Sequence, residues 1–91
     1  MMGSSFKDLW NDPEFMDDAQ REKINLEVSL IGRLIEAREK KGITQQKLAD
    51  MSGMKQSAIA RIEKLSATPK IDTMIRLLKP LGYKLDIVPI E

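Results

Sequence analysis

Apolar residues recur at steps of three and four along a long stretch of the first half of the chain. Ile24, Val28, Ile31, Leu34 and Ile35 fall on one stripe, and Arg38 lies on the same line. The spacing predicts a helix from about Asp18 to Lys41, with Glu36, Glu39, Lys40 and Lys41 outside the stripe. Gly42 suits the left-handed position that ends a helix, behind the basic residues Lys40 and Lys41. At about 1.5 Å per residue this helix is roughly 36 Å long. That is long for so small a domain, so part of it is expected to project from the core. Before it, Asp12-Pro13-Glu14 combines an Asp cap, a Pro at the first helical position and an acid in the first turn. Those signals predict a short turn of helix near 13–17.

Shorter elements follow. Thr44 is placed to cap a helix over about Gln45–Ser52, which Gly53 breaks, and a third helix is predicted from about Gln56 to Lys64. Ser66-Ala67-Thr68-Pro69-Lys70 reads as a loop in which Thr68, preceding Pro69, is extended. Asp72 is expected to cap a fourth helix over about Thr73–Lys79, which Pro80 ends or kinks and Gly82 closes. The tail Tyr83-Lys84-Leu85-Asp86-Ile87-Val88 alternates and reads as a single strand ended by Pro89. A lone strand has no ladder partner in its own chain. It either pairs with the same strand of a second protomer across a two-fold axis or lies over the body unpaired. Tyr83, Leu85, Ile87 and Val88 are thus candidates for dimerisation. The fold class is mainly α, in three segments: an acidic, aromatic-bearing arm over 1–17, a helical domain over 18–82, and a terminal strand over 83–91.

With 91 residues, the chain supports one small domain that gains from dimerisation. It has no His and no Cys, which excludes His/Cys zinc sites, Ser–His and Cys–His nucleophiles and disulfide scaffolds. No paired carboxylates or Gly-rich phosphate loop stand out, so neither enzyme activity, cofactor nor metal is expected. No apolar run approaches the roughly 20 residues of a bilayer span, and no signal-peptide pattern opens the chain, so a cytoplasmic protein without a membrane partner is expected.

The net charge of +1 conceals an asymmetry. Residues 1–30 hold three basic and seven acidic groups, net −4, whereas residues 31–91 hold twelve and seven, net +5. Such asymmetry suggests two surfaces with different partners, a basic one for a polyanion and an acidic one for a basic protein; a charge gradient without function is the alternative.

The chemistry concentrates in Thr44–Glu63, TQQKLADMSGMKQSAIARIE. Ala49 marks a close helix crossing, Gly53 a turn with positive φ, and Leu48, Met54, Ile59 and Ile62 face inward. Gln45, Gln46, Lys55, Gln56, Ser57, Ala60, Arg61 and Lys64 are left outside. Apart from Ala60 these are amides, a hydroxyl and cations, the groups that read base edges and phosphates. Asp50 and Glu63 are the only acids nearby. The spacing predicts a helix-turn-helix over 45–64. An ordinary pair of core helices is the alternative.

This block, followed by TPKIDTMIRLLKPLG, resembles the lambda-repressor-like (xenobiotic-response-element type) helix-turn-helix domain over roughly residues 30–82. The segments Leu30–Gln45 and Tyr83–Pro89 are similar to those flanking the domain in HigA-type antitoxins. The resemblance implies a dimer that binds double-stranded operator DNA, represses its own operon and neutralises a cognate basic, mRNA-cleaving (RelE/HigB-like) toxin. It implies that Gln45 meets a phosphate and that Lys55, Gln56, Ser57 and Arg61 form the recognition face. Gln56 suits adenine in bidentate fashion, Arg61 a guanine or phosphate, and Ser57 either. Ser66, Thr68 and Lys70 are candidates for backbone contact. Three positions depart from the family pattern. Leu65 stands where Gly is common, Lys55 where Ser or Thr caps the recognition helix, and Pro80 where a helix former is usual.

Phe6, Leu9, Trp10, Phe15 and Met16 lie among acids in the arm and suit a basic protein partner. Alternatively, they dock back onto the projecting helix. Beside the antitoxin reading stands that of a phage-type or restriction-control repressor with no toxin.

Overall fold

A computed structural model describes residues 13–90, with side chains from residue 17 onward. Four α-helices and a 3-10 turn occur in the order α1 (Pro13–Lys40), α2 (Gln45–Ser52), α3 (Gln56–Glu63), α4 (Ile71–Leu78) and the turn Lys79–Leu81. The helix start at Pro13 and the long apolar stripe belong to one continuous helix of 28 residues, not to a short turn followed by a second helix. No Pro or Gly separates the two segments, so nothing in the backbone interrupts the ladder there.

Only the second half of α1 enters the core. Ile31, Leu34 and Ala37 are buried there with Leu48, Ala49, Ile59, Ile62, Met74, Leu77, Leu78 and Leu81. Leu30, Ile35, Ile43, Met54 and Leu85 pack around that cluster. Toward the N-terminus the stripe is uncovered, with Ile24 and Val28 exposed by 58% and 51%, and Leu26, on another side of the helix, is exposed by 59%. The expected projection is therefore present, and it gives the molecule extents of 51 × 27 × 18 Å. Among the described residues, no helix is long and apolar enough to cross a membrane.

The helix ends follow from local chemistry. Gly42 takes φ 69°, its N–H donates to the Glu39 carbonyl, and the Ile43 N–H donates to Arg38. These are the two bonds of a Schellman end. Thr44 caps α2 as expected, its hydroxyl oxygen accepting from the Lys47 N–H at 3.0 Å. Gly53 supplies φ 73° between α2 and α3. Leu65 repeats this geometry at the end of α3 without being glycine. It sits at φ 62°, and its own N–H and that of Ser66 donate to Ile62 and Arg61. The departure at Leu65 is thus a non-glycine residue held in the left-handed region, which ordinarily costs about 1–2 kcal/mol.

Two expectations are corrected in the second half. α4 starts at Ile71 with Lys70 at the N-cap, not at Thr73 with Asp72 capping. The first α4 bond runs from the Met74 N–H to the Lys70 carbonyl, because the chain leaves Pro69 extended and turns at once. Asp72 instead occupies the first turn, where a carboxylate still favours the positive helix end. Pro80 does not simply end the helix. It sits in the 3-10 turn, which inserts Leu81 into the core before Gly82 turns at φ 85°.

Residues 83–90 form no strand within the chain. Leu85 packs against the core edge, whereas Tyr83, Ile87 and Val88 are exposed. The reason is the one that makes a lone strand costly: among the described residues no second segment offers a ladder.

The two kinds of glycine set up a paired prediction. A Cβ at Gly32 or at Gly53 would meet nothing within 4 Å, so sterics are equal and only the backbone differs. Gly32→Ala, in a helix interior, is expected to raise unfolding free energy by about 0.5–1 kcal/mol. Gly53→Ala is expected to lower it by about 1 kcal/mol, because alanine is strained at positive φ. Urea unfolding of the two variants reads both signs.

Candidate nucleic-acid interface

The α2–turn–α3 unit is locked from within by Leu48, Ala49, Ile59 and Ile62, with Met54 half-buried. Ala49 sits at the crossing of the two helices and is almost fully buried, as its small size requires. The outward face then carries the expected polar residues. Gln46, Lys55, Ser57, Arg61 and Lys64 are exposed, and Gln45 and Gln56 are half-buried. Lys55 stands at the N-cap of α3 with no side-chain cap bond, so the departure at that position leaves the first turn of α3 without a side-chain acceptor.

The two glutamines are not free. Gln56 Nε2 donates to Gln45 Oε1 at 2.6 Å, and Gln45 Nε2 donates to Glu63 Oε1 at 2.8 Å. Glu63 is held in turn by Arg38 of α1. The guanidinium donates from Nε to Oε2 at 2.8 Å and from Nη2 to Oε1 at 2.9 Å. Its Nη1 also donates to the Ile43 carbonyl at 2.8 Å. The two side chains are only 12% and 6% exposed, so the pair lies largely out of water. The hydrogen bonds that Arg38 donates to Glu63 raise the Arg38 pKa above its ordinary value. The nearby charges of Glu63 and Glu39 add to this, while burial opposes it. A raised arginine pKa contributes stability that is present below the ordinary value and lost only above the raised one. The guanidinium therefore stays charged through any physiological pH.

Arg61, Thr68 and Lys70 line one open groove between α3 and the loop after it. Ser66 and Lys70 are exposed on that loop, whereas the Thr68 hydroxyl donates to Glu27 Oε2 of α1 at 2.8 Å. Gln46 spends one donor on Asp50, four residues on along α2, at 3.0 Å. At the opposite side, Tyr83 and Leu85 border a groove with Leu30, Arg33, Met74 and Leu78. Phe6, Leu9 and Trp10 lie outside the described residues, as do the side chains of Phe15 and Met16.

Sequence reasoning missed Glu63 and Glu27 as site residues. A signal for Glu63 existed: Arg38 occupies a core-facing line of α1, and a charge there demands a partner. Glu63 is one of the only two acids near the recognition face. Nothing local marks Glu27, whose contact with Thr68 joins segments 41 residues apart.

The helix-turn-helix family profile matches residues 34–88. An uncharacterized HTH-type transcriptional regulator of Haemophilus influenzae is 46% identical over 85 residues, covering 90% of this chain and 86% of the relative. The HTH-type transcriptional regulator PuuR of Escherichia coli is 42% identical over 53 residues, which are 58% of this chain but 29% of that protein. A solved structure described as a toxin-antitoxin module from Streptococcus pneumoniae superposes with a TM-score of 0.64 at 37% identity. It covers 98% of this chain and 97% of that one.

Removing one partner of the buried pair leaves the other charge without compensation. Arg38→Ala is expected to cost about 3 kcal/mol of unfolding free energy, against a domain total of roughly 5–15 kcal/mol. Chemical denaturation followed by circular dichroism measures it.

Proposed function

The chain belongs to the helix-turn-helix family of transcriptional regulators, and from that premise we propose that it is a sequence-specific DNA-binding repressor that also acts as an antitoxin. The observation that carries the second half is the reach of the structural match. Similarity to a toxin-antitoxin module extends over nearly the whole of both chains, and so beyond the helix-turn-helix segment at 34–88. The partner under this proposal is a cognate, basic, mRNA-cleaving toxin of the RelE/HigB-like kind, and the chain is a HigA-type antitoxin.

Physical features support each half. The α3 face offers Lys55, Ser57, Arg61 and Lys64 to a duplex without an intervening acid, since Glu63 is turned to Arg38. Phosphates are contacted by Gln45, Lys55, Lys64 and the loop residues Ser66 and Lys70, and bases by Gln56, Ser57 and Arg61. The projecting half of α1 uncovers Ile24 and Val28 on one face and Leu26 on another, with the acids Glu22 and Glu27 near them, apolar and acidic groups for a basic protein. The arm at 1–17 adds aromatics and acids to the same end. Two copies join through Tyr83, Leu85, Ile87 and Val88. The exposure of Ile87 at 94% and Val88 at 74% leaves these β-branched residues open to ladder pairing across a two-fold axis. A dimer then reads two half-sites about one helical turn apart.

A stand-alone repressor is the second reading. It is favoured by the names of the curated relatives, which describe transcriptional regulators and no toxin partner.

Gln56→Ala and Arg61→Ala are each expected to cost about 1–3 kcal/mol at the operator, read by gel-shift titration. Deleting residues 1–17 is expected to spare operator binding and to weaken neutralisation and capture of the product of the adjacent toxin-like gene on co-expression; capture that survives undiminished makes the arm structural. A chain that binds its operator but neither captures nor neutralises that product is the stand-alone repressor. Deleting residues 83–91 is expected to shift the solution mass from dimer to monomer in light scattering. A dimer that persists places the interface on the helices.

A further inference from the structure

Glu63 ends a directional chain of hydrogen bonds whose other end is a candidate base-reading group. A carboxylate accepts and cannot donate. Both Glu63 oxygens accept from the Arg38 guanidinium, so what Gln45 turns toward the carboxylate is its amide NH2. The Gln45 carbonyl oxygen is then directed away from Glu63, and it accepts from Gln56 Nε2 at 2.6 Å. That bond in turn commits one of the two Gln56 N–H groups and no lone pair of its oxygen. What Gln56 has left to offer is one N–H and one carbonyl oxygen.

We propose that Glu63 is a specificity-determining positioning residue: without touching DNA, it sets the amide orientation of Gln45 and, through it, that of Gln56, so that Gln56 reads adenine. The inference rests on the reading of α3 as a recognition helix. Adenine presents the N7 acceptor and the N6 donor in the major groove, which match one N–H and one carbonyl oxygen. Guanine presents two acceptors, N7 and O6. Reversing every amide in the chain would leave Gln56 with both N–H groups free, the pattern guanine accepts. Left alone, two hydrogen-bonded glutamines have no reason to prefer one sense over the other. The buried ion pair breaks that symmetry, and its tie to α1 and the Ile43 carbonyl keeps the carboxylate in place.

The chain's own variants test this. Wild type, Gln56→Ala, Glu63→Gln and Gln45→Met are each selected against a pool of random duplexes, and the affinity ratio of adenine to guanine is measured at the position that Gln56→Ala relaxes. Wild type is expected to favour adenine by about tenfold, the scale of a bidentate pair. In Glu63→Gln the new amide accepts through one oxygen only and no longer imposes a sense. The ratio is expected to fall to within about threefold of unity while the salt dependence, which counts phosphate contacts, is unchanged. A merely structural role would lower affinity for all duplexes and leave the ratio alone. Gln45→Met keeps the Arg38–Glu63 pair intact. It is expected to lose the discrimination as well, and it decides the matter should Glu63→Gln fail to fold by circular dichroism. A folded Glu63→Gln or Gln45→Met variant that keeps the wild-type ratio overturns the inference, as does a Gln56→Ala variant that relaxes no adenine. Wild type that selects no sequence from the pool overturns the DNA-binding reading itself, and the inference with it.

Discussion

The pairing of Arg38 with Glu63 ties α1 to α3 and to the connection that leads into α2, beside the apolar contacts of the core and the glutamine bonds between α2 and α3. Arg38 belongs to α1, Glu63 to α3, and the remaining guanidinium N–H reaches the carbonyl of Ile43 in the connection to α2. A hydrophobic core is tolerant of small slides, because burial is non-directional. A bidentate ion pair is not, because both bonds require the two planes to face one another. The angle at which α3 leaves the body is therefore defined by a polar contact at the edge of the core and not by the core alone. The energetic yield of such a pair against an apolar substitute is small or negative. Its value here lies in geometry.

The same pair accounts for how an acid is tolerated at the end of a helix offered to a polyanion. Glu63 would oppose phosphate if it faced outward. Buried against Arg38 and Gln45, it is neutralised by one and screened by the other. Arg38 in turn is spent, so the charge offered to a duplex is that of Lys55, Arg61, Lys64 and Lys70. Of the cations in the half of the chain that reads +5 in composition, Arg61 and Lys70 line the groove beside α3, whereas Arg33, Arg76, Lys79 and Lys84 lie elsewhere.

Much of this was legible in the order of residues, for reasons that are local. Thr44, Ala49, Gly53 and Ile59 each answer to a constraint within a few residues of themselves: a cap, a crossing, a positive φ, an inward face. Local signals also misled: Asp72 offers a capping oxygen and Lys70 none, yet α4 begins after Lys70, which is the residue with extended backbone, and it has no side-chain cap bond. The start signals at Asp12-Pro13 were correct for a helix but silent on whether it would stop before Asp18. The tail alternates as a strand does, yet strand is a relation between segments, and the described residues hold no second one to pair with it. The glutamine chain was beyond reach for a similar reason. Gln45, Gln56 and Glu63 were each visible as polar residues, but the direction of their bonds exists only once α1 has delivered Arg38.

The projecting half of α1 means that a single helix has two stabilities. From Ile31 onward its backbone bonds are closed under a packed face, so opening them requires disrupting the core. From residue 17 to about residue 29 the helix has little beyond its own propensity and the bond from Thr68 to Glu27, since Ile24, Leu26 and Val28 face water. Amide hydrogen exchange should then grade steeply along one continuous element, from near-global protection at Leu34 to exchange by fraying one or two turns before it. A protein that closes over the exposed strip would extend the protected register toward the N-terminus, so the ordering of that half would be part of the free energy of its binding.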